Sequence, residues 1–123
     1  MTYRLTIPGK LPGMNEYTTA CKRNPYAGAD MKKKSEQLVL LLAKSQLRGV
    51  KVKPPVYLRY HWTEPNTRRD KDNIAGFGMK VIQDAIVRAG ILPDDGWNYI
   101  KGFSHEFSVD KGNPRITVDI IET

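Results

Sequence analysis

VYLRYHWTEPNTRRDKDNIAGFGMKVIQDAIVRAGILPDD, residues 56–95, decides the fold. Val56, Leu58, Tyr60 and Trp62 alternate with Tyr57, Arg59, His61 and Thr63. That period of two is a strand, and apolar side chains on both faces place it at the centre of a sheet. Glu64-Pro65-Asn66-Thr67 is a turn. From Asp72 to Arg88 the apolar residues Ile74, Phe77, Val81, Ile82, Ala85 and Ile86 take up a helical period, continued at Ala89, and Gly90 stops it. Gly76 and Gly78 each cost up to about 1 kcal/mol relative to alanine inside a helix. They mark either the close approach of another group or a frayed first half.

Working outward, Tyr3, Leu5 and Ile7 alternate with Thr2, Arg4 and Thr6, a strand over residues 2–7 ended by Pro8-Gly9. Residues 8–29 contain Pro12, Gly13, Pro25 and Gly28 and show no period, so they read as a long loop, either functional or a floppy connector. Residues 30–48 read as a helix with Asp30 as N-cap, Leu38, Leu41, Leu42 and Ser45 on its buried side, and Gly49 as its stop. Two strands, about Asn98–Val109 and Arg115–Glu122, follow, and Asp110-Lys111-Gly112-Asn113-Pro114 joins them as a hairpin. The expected architecture is α/β: a small mixed four-stranded sheet with two main helices, order β-α-β-α-β-β, in one domain over residues 1–123.

The chain carries 20 Lys and Arg against 13 Asp and Glu, a net charge of +7. Such a surface attracts polyanions, without separating DNA from RNA. The single cysteine, Cys21, excludes an internal disulfide and a Cys-rich zinc site, and fits a reducing cytosol. The longest apolar run, Leu38–Ala43, is far short of a membrane span, and Met1–Leu5 lacks the apolar region of a signal peptide. A cytoplasmic protein is expected, with no membrane partner.

Against this basic background stand two acidic pairs, Asp70 with Asp72 and Asp94 with Asp95. Carboxylates crowded together repel, and a divalent cation relieves the repulsion. Residues i and i+2 of an extended segment point the same way, so Asp70 and Asp72 can reach one ion. Each pair alone has an ordinary explanation, a helix cap for the first and an Asp-Asp-Gly turn for the second. A strand–helix–strand crossover is expected to bring the two together at one end of the sheet. An oxygen-only cluster favours Mg²⁺ or Mn²⁺ over zinc. An EF-hand does not fit, because Ala75 and Val81 stand where that loop needs Gly and Glu. Lys80 lies on nearly the same helix face as Asn73, placed either to stabilise charge on a phosphate or to pair with Asp84 at i+4. Neither His61 nor His105 belongs to a nucleophilic arrangement.

Arg68-Arg69-Asp70-Lys71-Asp72-Asn73, followed by Lys80, Asp84, Ala85, Gly90 and Asp94-Asp95, resembles the RusA-type Holliday junction resolvases, often carried by phages and prophages. Pro12-Gly13-Met14-Asn15 is similar to that family's N-terminal loop. The resemblance implies a homodimer that binds four-way DNA junctions in recombination and repair and makes paired nicks with Mg²⁺. It implies metal-site roles for Asp70, Asp72 and Asp95, with Asp94 beside them, and a required basic role for Lys80. The family's lysine can follow the motif more closely; here it comes one helical turn later, with Lys71 as the alternative. Asn15, Lys22, Arg23, Lys32, Lys33, Lys34, Arg68, Arg69, Lys71 and Asn73 are the expected DNA contacts, binding backbone and shape rather than sequence. The competing readings are a metal nuclease for flaps or RNA, and a non-catalytic nucleic-acid-binding module.

Overall fold

A computed structural model describes residues 1–123. The elements are β1 (Thr2–Pro8), α1 (Met14–Arg23), α2 (Ala27–Gln46), β2 (Val56–Glu64), α3 (Lys71–Arg88), β3 (Ile100–Val109) and β4 (Arg115–Glu122). The α/β class and the mixed four-stranded sheet are as expected; the order is β-α-α-β-α-β-β, with three helices rather than two.

The sheet runs β1-β4-β2-β3, with β2 parallel to β3 and antiparallel to β4, and β1 antiparallel to β4. Val56, Leu58, Tyr60 and Trp62 point to the core with Leu5, Ile7, Ile116, Val118 and Ile120. Helix α3 lies over them through Val81, Ile82, Ala85 and Ile86, all fully buried. Gly78 is a close-approach position: a Cβ there would stand 2.9 Å from the Trp62 ring. Gly90, at φ +76°, takes the left-handed turn that ends α3.

Four expectations are corrected. Residues 8–29 are not one loop, because α1 occupies Met14–Arg23. It has a weak apolar face, burying Ala20 and stacking Tyr17 on Phe77 at 4.6 Å. Helix α2 begins at Ala27, and the Asn24 carboxamide oxygen, not Asp30, accepts the N–H groups of Tyr26 and Ala27. Its buried side is Ser35, Val39, Leu40 and Ala43, while Leu38 and Leu41 are exposed. Finally, β3 and β4 are not a hairpin, since β2 lies between them. The turn residues 110–114 reverse the chain around the end of β2, where the Asp110 N–H donates to the Glu64 carbonyl.

The parallel β2–β3 pair also separates the acidic pairs along the sheet. Ile100 is in register with Val56, and Val109 with Glu64. Residues before β3 therefore approach the start of β2, whereas Asp70 and Asp72 follow its end.

Candidate functional site

The end of β2 and the first turn of α3 form a cleft of about 450 Å³ with the end of β3. Asp70, Lys71 and Asp72 line one side, Phe107, Ser108 and Val109 the other. Asp70 holds the N-cap position of α3 with extended backbone, ψ 153°, yet its side chain caps nothing. Asp72 accepts only the N–H of its neighbour Asn73, at 2.9 Å. Both carboxylates are exposed.

Three contacts fix this end of the helix. Arg69 is clamped to the buried Glu64 through two parallel bonds of 2.8 Å, from Nε to Oε1 and from Nη2 to Oε2. Its Nη1 donates to the Leu11 carbonyl at 3.0 Å. The Asn73 carboxamide oxygen accepts the Asn15 N–H at 2.7 Å, tying the start of α1 to the start of α3. Gly13 makes that join possible, since a Cβ there would stand 2.6 Å from Asn73 Oδ1.

Charge pairing singles out the same carboxylates. The ten ion pairs use nine of the 13 Asp and Glu side chains. The four left without a cation within 4.0 Å are Asp70, Asp72, Asp94 and Glu106. In a chain with seven surplus positive charges, three of four unpaired carboxylates come from the two acidic pairs.

Asp95, the remaining aspartate of the two acidic pairs, is itself ion-paired. Lys80 Nζ is 3.5 Å from Asp95 Oδ2 and 3.1 Å from Asp84 Oδ1. Lys32 Nζ on α2 meets the other oxygen, Asp84 Oδ2, at 2.9 Å. Burial pushes Asp84 up, but hydrogen bonds from Lys32 and Lys80 outweigh it and hold its pKa below the usual value. The hydrogen bond to Asp84 is the largest influence raising Lys80. Eight residues separate Lys80 from Asp72, about 12 Å of helix rise. Asp94 and Asp95 do not line the cleft.

The expected DNA contacts divide. Arg68, Lys22, Arg23 and Lys33 are exposed and make no ion pair. Lys71 is exposed too, its ammonium 5.7 Å from the Phe107 ring centroid. Lys32 and Lys34 are engaged with Asp84 and Asp30. Both lie in the second turn of α2, which starts at Ala27. Arg69 is committed to Glu64 and Leu11, and Asn73 to Asn15, so these two organise the site rather than face outward. Sequence reasoning missed Glu64 and Phe107. Arg69 five residues after Glu64 was a signal for the first; nothing local signalled the second, which reaches the cleft only through strand register.

Both histidines are engaged by other side chains. His61 Nε2 contacts Ser108 Oγ at 2.7 Å. Trp62 Nε1 donates to His105 Nδ1 at 2.9 Å, which leaves the neutral imidazole's proton on Nε2. Burial lowers the His105 pKa.

Asp70 and Asp72 suit a hard divalent cation, which takes one or two carboxylates and completes its shell with water and substrate phosphate. The chain by itself brings together no group of three His, Cys, Asp or Glu side chains that could hold a metal ion. The donor set present is thus two carboxylates, with Asp95 engaged by Lys80 instead. No helix is long and apolar enough to cross a membrane. The chain matches no protein-family model and no curated protein.

Proposed function

We propose that this protein is a Mg²⁺-dependent endonuclease that cuts four-way DNA junctions by paired nicks, with Mn²⁺ as a substitute. The observation that carries the reading is the unpaired state of Asp70 and Asp72 at the mouth of a 450 Å³ cleft, in a chain of net charge +7. A basic protein that leaves two carboxylates uncompensated beside a cleft of this size holds them available for a cation. The resemblance over residues 68–95 supplies the substrate class.

Asp70 and Asp72 would hold the ion. When bound, it supplies Lewis acidity and a water of lowered pKa. The Arg69–Glu64 clamp and the Asn73–Asn15 bond keep the first turn of α3 fixed, so the carboxylates do not have to be ordered when substrate arrives. Lys80 stays protonated across the neutral range, since its pKa is raised. Its ammonium is engaged by Asp84 and Asp95, so Lys71, exposed in the lining of the cleft and in no ion pair, is the cation free to meet negative charge on a phosphate. Arg68, Lys22, Arg23 and Lys33 are free to bind DNA phosphates without reading bases. A two-fold homodimer would match the two-fold character of paired cuts.

The absence of a three-ligand group favours one other reading, a nucleic-acid-binding module whose aspartates serve turns. A labelled synthetic junction separates them. The nuclease reading expects paired nicks with Mg²⁺, none in chelator, and loss of nicking but not binding in Asp72→Asn. Nicking in chelator, or binding with no nicking under any divalent cation, overturns it. A parallel panel of flap and RNA substrates tests the choice of junction.

A further inference from the structure

The two ends of α3 differ in charge. Asp70 and Asp72 stand at its start. Beside its other end, the last turn of α2 and the segment that follows it bring four cations together. Lys44, Arg48, Lys51 and Lys53 are all exposed, and none has a carboxylate oxygen within 4.0 Å. No Asp or Glu stands between Glu36 and Glu64 in the chain to balance them. A cation in the last turn of a helix answers the helix dipole, but that accounts for Lys44 alone. The other three lie past the end of α2.

The backbone holds these cations in place. Gly49, at φ +73°, turns the chain out of α2. The Val50 N–H donates to the Leu47 carbonyl at 3.1 Å, and the Val52 N–H to the Ile91 carbonyl at 2.9 Å. The Lys53 N–H donates to Glu122 Oε2 at 2.7 Å. Val52 is buried, so the exposed lysines on either side of it are presented outward from a fixed segment. Lys44, Arg48 and Lys51 line a depression of about 340 Å³ that reaches Gly90, and no acidic residue lines it. Beneath the cations its floor is closed: Leu47 is 8% exposed and Ile91 2%.

We infer that Lys44, Arg48, Lys51 and Lys53 form a second DNA site, which holds the phosphate backbone of a duplex arm away from the cut. Unpaired cations around one depression suit a run of phosphates, bound through charge and not through base edges. The buried floor presents no apolar side chain for a bilayer or a peptide to take up. Distance sets what the site can reach. Helix α3 has 18 residues, about 27 Å of rise between the Asp70–Asp72 cleft and Gly90. That is the length of about eight base pairs. DNA with a phosphate at the cleft therefore touches the depression only through an arm at least that long, whichever arm of the junction it is. Charges farther apart than the Debye length, about 8 Å in physiological salt, are screened from one another. Shorter DNA held at the cleft does not feel these cations, so the site measures arm length without reading sequence.

The inference rests on the junction-cutting reading for its substrate, and the test separates the two. Binding in chelator, so that nothing is cut, is compared for labelled junctions with arms of about 12 and about five base pairs. The wild type is expected to bind the long-armed junction at least about tenfold more tightly. A chain carrying Lys44→Gln, Arg48→Gln and Lys51→Gln should lose that preference. Its slope of log affinity against log salt on long arms should fall by roughly 2–3, one phosphate contact for each cation removed. Its binding to short arms, and its nicking of them in Mg²⁺, should stay as in the wild type. Lys51→Gln with Lys53→Gln, both off the helix, should act in the same direction, and decides the matter if the triple variant changes its circular dichroism spectrum. A wild type indifferent to arm length overturns the inference, and so do equal losses on both junctions. It is also overturned if the variants lose binding to phosphatidylserine vesicles and keep the preference for long arms, because the surface then serves a membrane. A preference abolished by the variants upholds it, and if that protein never nicks with any divalent cation, only the nuclease reading falls.

Discussion

Helix α3 carries two acidic groups that the fold treats in opposite ways. At its first turn, Asp70 and Asp72 face a cleft without an ion-pair partner within 4.0 Å, while the adjacent arginine is spent on Glu64. At mid-helix, Asp84 and Asp95 share Lys80, and Lys32 comes from α2 to close the group. One end leaves its charge unsatisfied; the other is complete by itself. A completed network contributes to shape and modest stability, whereas an uncompleted one is available to an external partner. If that division is right, substitutions along one helix should separate cleanly into those that change chemistry and those that change little.

The largest effect tests chemistry directly. Asp72→Asn should lower the nicking rate at least about 1,000-fold, roughly 4 kcal/mol of barrier. Asp84→Asn should leave it within about fivefold, roughly 1 kcal/mol. Single-turnover cleavage of a labelled junction measures both, and equal losses would erase the distinction between the two groups.

The next effect is on stability, and it reverses the ranking within the Arg68-Arg69 pair. Glu64 is buried, 6% exposed, and Arg69→Ala leaves its charge without a partner. Breaking a buried pair from one side costs about 3–5 kcal/mol. Arg68→Ala removes an exposed side chain and should cost under about 0.5 kcal/mol, its effect appearing as weaker, less salt-dependent DNA binding. Urea unfolding together with binding at two salt concentrations checks the pair. An Arg69→Ala protein of wild-type stability would mean that the clamp is not what fixes the cleft.

How much of this contrast was legible in the sequence depends on the range of the interactions involved. Strand β2, helix α3 and strand β4 were read almost to the residue, because each is long and keeps one apolar period. Asp70 and Asp72 were legible as a pair because their spacing is local. The rest depended on distant partners. Helix α1 was missed since its hold on the core comes through Ala20 and Tyr17, too few apolar positions to show a period, and its start is fixed by Asn73, 58 residues after Asn15. Leu38 and Leu41 look like a buried stripe, but the buried stripe is Ser35, Val39 and Ala43. The turn at residues 110–114 announces a reversal without saying that β2 lies between the strands it joins. The same blindness affected Asp95: the sequence brought it beside Asp70, while the parallel crossover took it to Lys80.

A smaller effect asks whether the unsatisfied end takes up a cation when no substrate is present. A ligand that binds only the folded state at ten times its dissociation constant stabilises by about 1.4 kcal/mol. Titrating Mg²⁺ should therefore raise the thermal midpoint of the wild type and of Asp84→Asn. It should not raise that of a chain carrying both Asp70→Asn and Asp72→Asn. A rise in that double variant would place the bound ion elsewhere, and a loss in Asp84→Asn would move it to the middle of the helix.

The smallest effect belongs to the completed network and has a definite sign on both sides of neutrality. Asp84 has its pKa lowered in the fold, so the stability that the network draws from it is fully present above the usual carboxylate value, 3.8. It is lost as pH falls below that value through the folded one, because the unfolded chain, whose carboxyl keeps the higher pKa, binds the proton more readily than the native state does. Lys80 has its pKa raised, so its share is present below the usual lysine value, 10.5, and is lost as pH rises through the folded value. Between those limits the contribution is flat. Lys80 is 59% exposed, which keeps the whole effect under about 1 kcal/mol. Asp119 also titrates low, held down chiefly by the Arg4 hydrogen bond, so the acid limb of the wild type alone cannot be assigned to one residue. The difference between wild type and Asp84→Asn can: it should be constant from pH 5 to 9 and shrink below about 4. A difference that instead grows on acidification would show that Asp84 is strained by its burial rather than relieved by its lysines, and the middle of the helix would then be no more satisfied than its start.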